Sequence, residues 1–254
     1  MHRDSMVSRL NVALRRLLWN VAGLRLSRAA HEGEFAAMPG ALGRLARGGF
    51  APSVIVDVGA NVGDWARLAR VAFPSAPIVC VEPQSACQSR LSACCKAIGN
   101  ATILAVAVSD TDGATGYLHG GGGEGNTGAG LSAPGADVEV VPLRTLDALL
   151  QARLAPGAAV LLKLDVEGHE RRVIAGATRL LAATEVVIAE FTAYWPADSD
   201  GTTLDALVAA LGPHGLHVHD VAGLSRRRRD GRLRQGDVVF VRASSPLRRD
   251  VNWG

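Results

Sequence analysis

The chain is 254 residues long, which allows one large domain or one domain with an arm, and its 48% hydrophobic content supplies an ample core. Aromatics are only 4%, so that core is built from Ala, Val and Leu, as suits closely packed α/β layers. Charged residues at 20% and a net charge of +3 are ordinary for a soluble protein, and basic residues are not interleaved with stacking aromatics, which argues against a nucleic-acid partner.

The four cysteines, Cys80, Cys87, Cys94 and Cys95, crowd into one short region without the paired spacing of a zinc site or a disulfide framework. They are read as reduced, which favours a cytoplasmic setting. No apolar run approaches the roughly 20 residues of a membrane span. Arg9, Arg15 and Arg16 interrupt what would otherwise be the apolar core of a signal peptide.

Residues 7–26 carry Leu10, Leu14, Leu17, Leu18, Val21 and Leu24 at helical spacing, with Arg9, Arg16 and Arg25 among the polar positions. This amphipathic helix belongs to an N-terminal arm, residues 1–47. It is expected to pack on the domain or on a second subunit; its second reading is a peripheral membrane contact near a lipid-linked substrate. The oligomeric state stays open. Gly48, Gly49 and Pro52 mark the entry to the main domain, residues 48–254.

From there apolar strands alternate with helices: a strand at Val54–Val58, a helix from Asp64, a strand at Ile78–Val81, a helix from Ser85 and a strand over 102–108. Such alternation predicts an α/β fold with a parallel sheet. Residues 110–131 lose the pattern, with Gly120, Gly121, Gly122, Gly123, Gly125, Gly128 and Gly130 nearly adjacent. They are expected to form a mobile loop, either a surface connection or a lid over the substrate. A strand over 138–143 leads into a helix capped by Thr145 and continuing to Leu150. Val160–Leu164 is a buried strand ending in Asp165-Val166-Glu167-Gly168-His169-Glu170, followed by a helix that closes near Gly176; a further strand covers 185–191. The tail, 216–221 and 237–241, reads as two antiparallel strands joined by an arginine-rich turn.

The first of these strands turns through Gly59-Ala60-Asn61-Val62-Gly63 into its helix. A buried parallel strand that ends in glycines reads as a nucleotide-cofactor turn, where backbone N–H groups approach a ligand at the strand's carboxyl end. A dinucleotide turn has glycine two residues after the first, so that a pyrophosphate can touch the backbone; here that position is Asn61. With Asp57 ahead of it, the turn suits a ligand that lacks pyrophosphate and carries a positively charged amino-acid portion, as S-adenosylmethionine does. Glu82 ends the second strand about 20 residues beyond the turn, where an acid accepts both ribose hydroxyls. NAD sites use the same acid, so an NAD-dependent oxidoreductase is the enzymatic rival, disfavoured by Asn61.

Taken in order, Asp57-Val-Gly-Ala-Asn-Val-Gly, Val81-Glu82-Pro83, Ala107-Val108-Ser109-Asp110, Arg144-Thr145-Leu146-Asp147 and Leu162-Lys163-Leu164-Asp165-Val166-Glu167-Gly168-His169-Glu170 resemble the FkbM-type S-adenosylmethionine-dependent methyltransferases. The resemblance covers roughly residues 50–242. It implies the Rossmann-like, seven-stranded class I methyltransferase sheet with helices on both faces, and methyl transfer, usually to a hydroxyl of a sugar, glycan, macrolide or other secondary metabolite. It also implies that Asp57, Gly59 and Gly63 lie on the cofactor's methionine side, that Glu82 is the ribose acid, and that Ser109 and Asp110 lie near the adenine; Asn61 belongs to the same cofactor-binding turn.

Asp165, Glu167 and His169 are the candidate catalytic residues, because an aliphatic hydroxyl needs a base within hydrogen-bond reach. If the strand continues beyond Leu164, Asp165 and Glu167 point the same way; the competing role for both is capping of the next helix. His169 is expected in that helix's first turn, as a hydrogen-bonding residue more than as the base. Two carboxylates could hold Mg²⁺, but a third ligand is not apparent and no metal is expected. His214, His217 and His219 fit a half-solvated strand better than a metal site. The arginines at 226–229, with Arg232 and Arg234, read as a solvated hairpin tip or as a contact for phosphate in a linked sugar. A methyltransferase-fold scaffold without turnover, acting in glycan assembly, is the non-enzymatic alternative.

Overall fold

The run Val-Ile-Val-Asp-Val forms strand β1, Val54–Val58, with all five residues buried. A central parallel strand is covered on both faces, so it needs apolar residues at nearly every position rather than at alternate ones. The computed structural model describes residues 37–119, 130–131, 134, 138–194 and 202–250. The amphipathic segment 7–26 and the centre of the glycine tract, 120–129, lie outside the described residues.

Helix α1, Met38–Arg47, precedes β1. After β1 come α2 (Asp64–Ala72), β2 (Ile78–Val81), α3 (Ser85–Ile98), β3 (Ala101–Leu104), β4 (Ala107–Val108), β5 (Ala114–His119), β6 (Gly130–Leu131), β7 (Val138–Arg144) and α4 (Leu146–Leu150). The remainder is β8 (Val160–Leu164), α5 (Glu170–Ala175), α6 (Thr178–Ala183), β9 (Thr184–Thr192), α7 (Leu204–Leu211), β10 (Leu216–Arg226) and β11 (Leu233–Arg242).

Seven strands form the main sheet in the order β10-β11-β9-β8-β1-β2-β3. β3, β2, β1, β8 and β9 are mutually parallel, and β11 runs antiparallel to both β9 and β10. The chain steps from β1 through β2 to β3 on one side, then resumes with β8 on the other side of β1. That reversal is a topological switch point, and a ligand crevice opens at the carboxyl ends of the two strands flanking it. The fold expected from the alternation and the resemblance is the one observed.

Three local expectations change. The strand expected over 102–108 is broken: Leu104 stays beside Val81 in the main sheet, whereas Ala107–Val108 pairs with Leu143 and Arg144 in a second sheet, β4-β7-β5-β6. Part of the expected loop is a strand, since Ala114–His119 pairs antiparallel with β7. Its Leu118 joins Ala107 and Val141 in a small separate core, and one buried leucine in six residues is too little to register as a period. The tail strands are longer than their apolar runs, because the outer face of β10 carries exposed polar residues such as His217 and His219.

Two glycines of the β1 turn are required by contacts inside the chain. Gly59 has φ +77, and a β-carbon there would fall 1.7 Å from the Asp165 carbonyl oxygen; Gly63 has φ +91, and one there would fall 2.5 Å from Cys94 Sγ. The first lets the turn close onto the end of β8, and the second lets α2 start against α3. Gly113 has φ +75 with nothing within 4 Å, so it isolates backbone strain from collision. Gly113→Ala is expected to lose about 1–2 kcal/mol in urea unfolding, the left-handed penalty. Gly59→Ala, which adds a backbone clash, is expected to lose at least about 3 kcal/mol or not to fold; equal losses would show that the close approach imposes no constraint.

Candidate functional site

The glycine turn satisfies most of its own amides. Gly59 and Ala60 donate to the Val81 carbonyl at 3.0 and 3.1 Å, and Gly63 donates to the Ala60 carbonyl at 2.8 Å. Asn61, in the left-handed region at φ 47, donates its backbone N–H to Glu82 Oε2 at 2.8 Å. The same carboxylate accepts the Gln84 N–H through Oε1 at 2.9 Å. Four turn amides are therefore unavailable to a pyrophosphate. Glu82 is buried and oriented by two amides while each of its oxygens keeps acceptor capacity. Burial raises its pKa, and the Gln84 and Asn61 amides oppose that shift.

Beneath the turn lies a buried cation. Lys163 Nζ is 3.0 Å from Asp165 Oδ2, 3.5 Å from Asp57 Oδ1, and donates to the Gly59 carbonyl at 3.2 Å. Asp57 and Lys163 are cross-strand partners on β1 and β8, which puts their side chains on one face of the sheet. Neither Asp57 oxygen has a hydrogen-bond donor among the described residues, so the Lys163 contact is an ion pair across a gap. Burial pushes Asp57 up to about 6 although Lys163 pulls the other way. Burial alone would lower Lys163, but the Asp165 and Asp57 carboxylates outweigh it and hold the ammonium charged. Asp57 is thus enclosed, facing Lys163 rather than solvent.

The expectation that β8 continues and carries Asp165 and Glu167 to one face is corrected. β8 ends at Leu164, and Glu167 and Gly168 take φ of +53 and +96, so a tight turn sets these side chains instead of strand alternation. Glu170 organises the turn: its Oε1 accepts the Val166 N–H at 3.0 Å and the Gly168 N–H at 3.3 Å. Thr202 donates to the Gly168 carbonyl at 3.2 Å. Asp165, Glu167 and His169 are half-buried in the turn that follows β8. His169 is the N-cap of α5 rather than a first-turn residue. Its Nε2 lies 2.8 Å from Ser109 Oγ, and that hydroxyl is 3.1 Å from Asp110 Oδ1. Burial, helped by Arg172 and opposed by Asp110, lowers the His169 pKa and keeps the imidazole neutral near pH 7. The structure thus brings Ser109 and Asp110 to His169, and groups Asp57, Gly59 and Asp165 around Lys163.

Two acids of the crevice were not singled out from sequence. Glu190 on β9 and Asp237 on β11 are directly paired across the antiparallel ladder, so their carboxyls share a face, where like charges repel. Glu190 Oε1 accepts from the Gln235 amide at 2.6 Å. Burial first, then Asp165, Glu167, Asp237 and Glu170, hold the Glu190 carboxyl far above the usual range. The shift favours the protonated form, in which the carboxyl can donate as well as accept. The available signal was Val186-Val187-Ile188-Ala189-Glu190, a buried apolar run closed by an acid, like the runs that lead into Asp57 and Asp165.

A carboxyl whose folded pKa is raised binds a proton that the unfolded chain releases, so stability falls as pH climbs from the ordinary glutamate range toward the raised value. Glu190→Gln keeps the acceptor for Gln235 and removes that titration. Its unfolding free energy is expected to decline less than the parent's between about pH 5 and pH 8 in urea titrations; parallel declines would place the proton elsewhere.

Among the described residues no helix is long and apolar enough to cross a membrane. Residues 57–216 match the sequence model of the methyltransferase FkbM domain. No curated protein matches the chain. Among solved structures, the N-methyltransferase NodS from Bradyrhizobium japonicum WM9, in complex with S-adenosyl-L-homocysteine, superposes with a TM-score of 0.50 at 10% identity, covering 90% of this chain and 97% of NodS. WbdD, solved with the kinase inhibitor LY294002, superposes with a TM-score of 0.50 at 14% identity, covering 85% of this chain and 42% of WbdD. Precorrin-6y C5,15-methyltransferase from Geobacter metallireducens GS-15 gives a TM-score of 0.45 at 12% identity, covering 86% of this chain and 94% of its own. At such identities the likeness to NodS concerns the fold, that of the class I S-adenosylmethionine-dependent methyltransferases.

Proposed function

The chain belongs to the FkbM methyltransferase family, whose cofactor is S-adenosylmethionine, and we propose that it moves the methyl group to a hydroxyl oxygen of a sugar, glycan or secondary metabolite. The observation that carries the proposal is the set of acids at the carboxyl ends of β8 and β9, Asp165, Glu167 and Glu190, across the switch point from the glycine turn. The cofactor supplies a methyl group on a sulfonium sulfur. The residues present fit it: the turn's amides are closed to a pyrophosphate, while Glu82 keeps lone pairs for two ribose hydroxyls.

An in-line displacement depends first on holding the acceptor oxygen about 3 Å from the methyl carbon. In this reading Glu167 takes the hydroxyl proton. Asp165, held by Lys163 at 3.0 Å, accepts a hydrogen bond that orients the acceptor. Protonated Glu190 donates to a second acceptor oxygen. His169, neutral and joined to Ser109, orients the edge of the same crevice.

The reading is tested by transfer of labelled methyl groups to panels of hydroxyl and amine acceptors. Glu167→Gln is expected to lower turnover on hydroxyl acceptors by about 100-fold or more, the range for a lost general base, while affinity for S-adenosylhomocysteine stays within about threefold. Transfer confined to amines would overturn it, as would a loss confined to cofactor affinity.

A further inference from the structure

The tip joining β10 and β11 holds six arginines, Arg226, Arg227, Arg228, Arg229, Arg232 and Arg234, against one aspartate, Asp230. Its place in the fold follows from the ladders. β9 runs parallel to β8 and continues past it, Gln235 of β11 pairs with Thr192 near the end of β9, and Ala193 N–H donates to the Arg234 carbonyl at 2.8 Å. The tip therefore stands at the carboxyl end of the sheet, the end that carries Asp165, Glu167 and Glu190.

It is also built. Arg227 forms a bidentate pair with Asp230, whose Oδ1 accepts the Arg232 N–H at 3.1 Å, and Arg226 donates to the Gly231 carbonyl at 3.1 Å. The Arg232 and Arg227 guanidinium carbons lie 4.1 and 5.5 Å from the centroid of the Tyr194 ring, just past β9. Stacking on an aromatic face removes rotamer freedom from long basic side chains, and Arg227 turns its fork to Asp230. Arg228 and Arg229 are exposed, and among the described residues no carboxylate pairs with either. So dense a positive charge, with its geometry held by Tyr194 and Asp230, is suited to the planar, bidentate capture of phosphate oxygens.

The rest of the crevice has the opposite sign. Asp237 pairs with Glu190, and Asp165 and Glu167 lie close by; Lys163 offsets one of these acids, so the balance is negative and disfavours an anion more than a neutral hydroxyl. Tyr194 is four positions beyond Glu190 and two past the end of β9, a reach of at most roughly 13 Å at the rise of a strand. We propose that the Arg226–Arg234 tip is the subsite for a phosphate or diphosphate group of the acceptor, held one or two units away from the hydroxyl that is methylated. The inference rests on the reading of the crevice as a hydroxyl methyltransferase site, and it names the acceptor as a phosphorylated molecule with a neutral end.

Calorimetric titration of the full chain, saturated with S-adenosylhomocysteine, with inorganic pyrophosphate tests it. The parent protein and R228Q/R229Q are compared, and vesicles of phosphatidylcholine with phosphatidylglycerol form a second arm. Pyrophosphate is expected to bind the parent and to bind R228Q/R229Q at least about tenfold more weakly, the loss expected for two charge-assisted contacts. S-adenosylhomocysteine affinity should be equal in both, which separates this subsite from the cofactor turn. No pyrophosphate binding, or binding indifferent to the substitutions, overturns the proposal. Binding of the vesicles without pyrophosphate binding also overturns it, in favour of a membrane surface. Methyl transfer to hydroxyl acceptors that is no faster for phosphorylated than for unphosphorylated ones defeats the subsite and leaves the methyltransferase reading intact; absence of transfer to any hydroxyl defeats that reading instead.

Discussion

A single buried ammonium ties the two halves of this crevice together. Lys163 reaches Asp57 on β1, Asp165 at the end of β8 and the carbonyl of Gly59 in the cofactor turn. These are the two strands that flank the switch point, so one side chain sets the spacing between the glycine turn after β1 and the acidic turn after β8. Removing a charge from water is costly unless partners surround it, and once surrounded it tolerates little displacement. The Gly59 backbone presses against the Asp165 carbonyl for the same reason: the turn must come this close for the ammonium to reach both sides.

That arrangement explains how so many carboxyls coexist. Asp57 and Asp165 share Lys163, Glu82 is held by two backbone amides, and Glu170 by the amides of Val166 and Gly168. Glu190, next to Asp237 and facing the remaining acids, retains a proton instead. Carboxyls with different protonation states in one crevice supply an acceptor and a donor side by side.

Most of the fold was legible because the central strands are uninterrupted apolar runs and each helix follows at the expected distance. β1, β2 and β8 have the residues read from sequence. What failed to register was the second sheet, whose β5 contributes mainly Leu118 to a core of its own, and the break between Leu104 and Ala107, where one apolar run serves two sheets. In the crevice, acids next to glycine turns stood out, since strand end and turn are local signals. Glu190 and Asp237 did not, because their importance arises from a ladder between strands separated by more than 40 residues. The roles of Lys163 and Glu170 likewise depend on which backbone atoms fold back onto them.

A turn closed on its own amides, with Glu82 fixed beside it, is suited to a nucleoside cofactor without pyrophosphate. Calorimetric titration of the chain with S-adenosylhomocysteine and, separately, with NAD tests this most directly when repeated on Glu82→Ala. S-adenosylhomocysteine alone is expected to bind, and the substitution to weaken it by about tenfold or more, as for loss of a charged hydrogen-bonding partner. Binding of NAD, or S-adenosylhomocysteine affinity indifferent to Glu82→Ala in a folded protein, would contradict it.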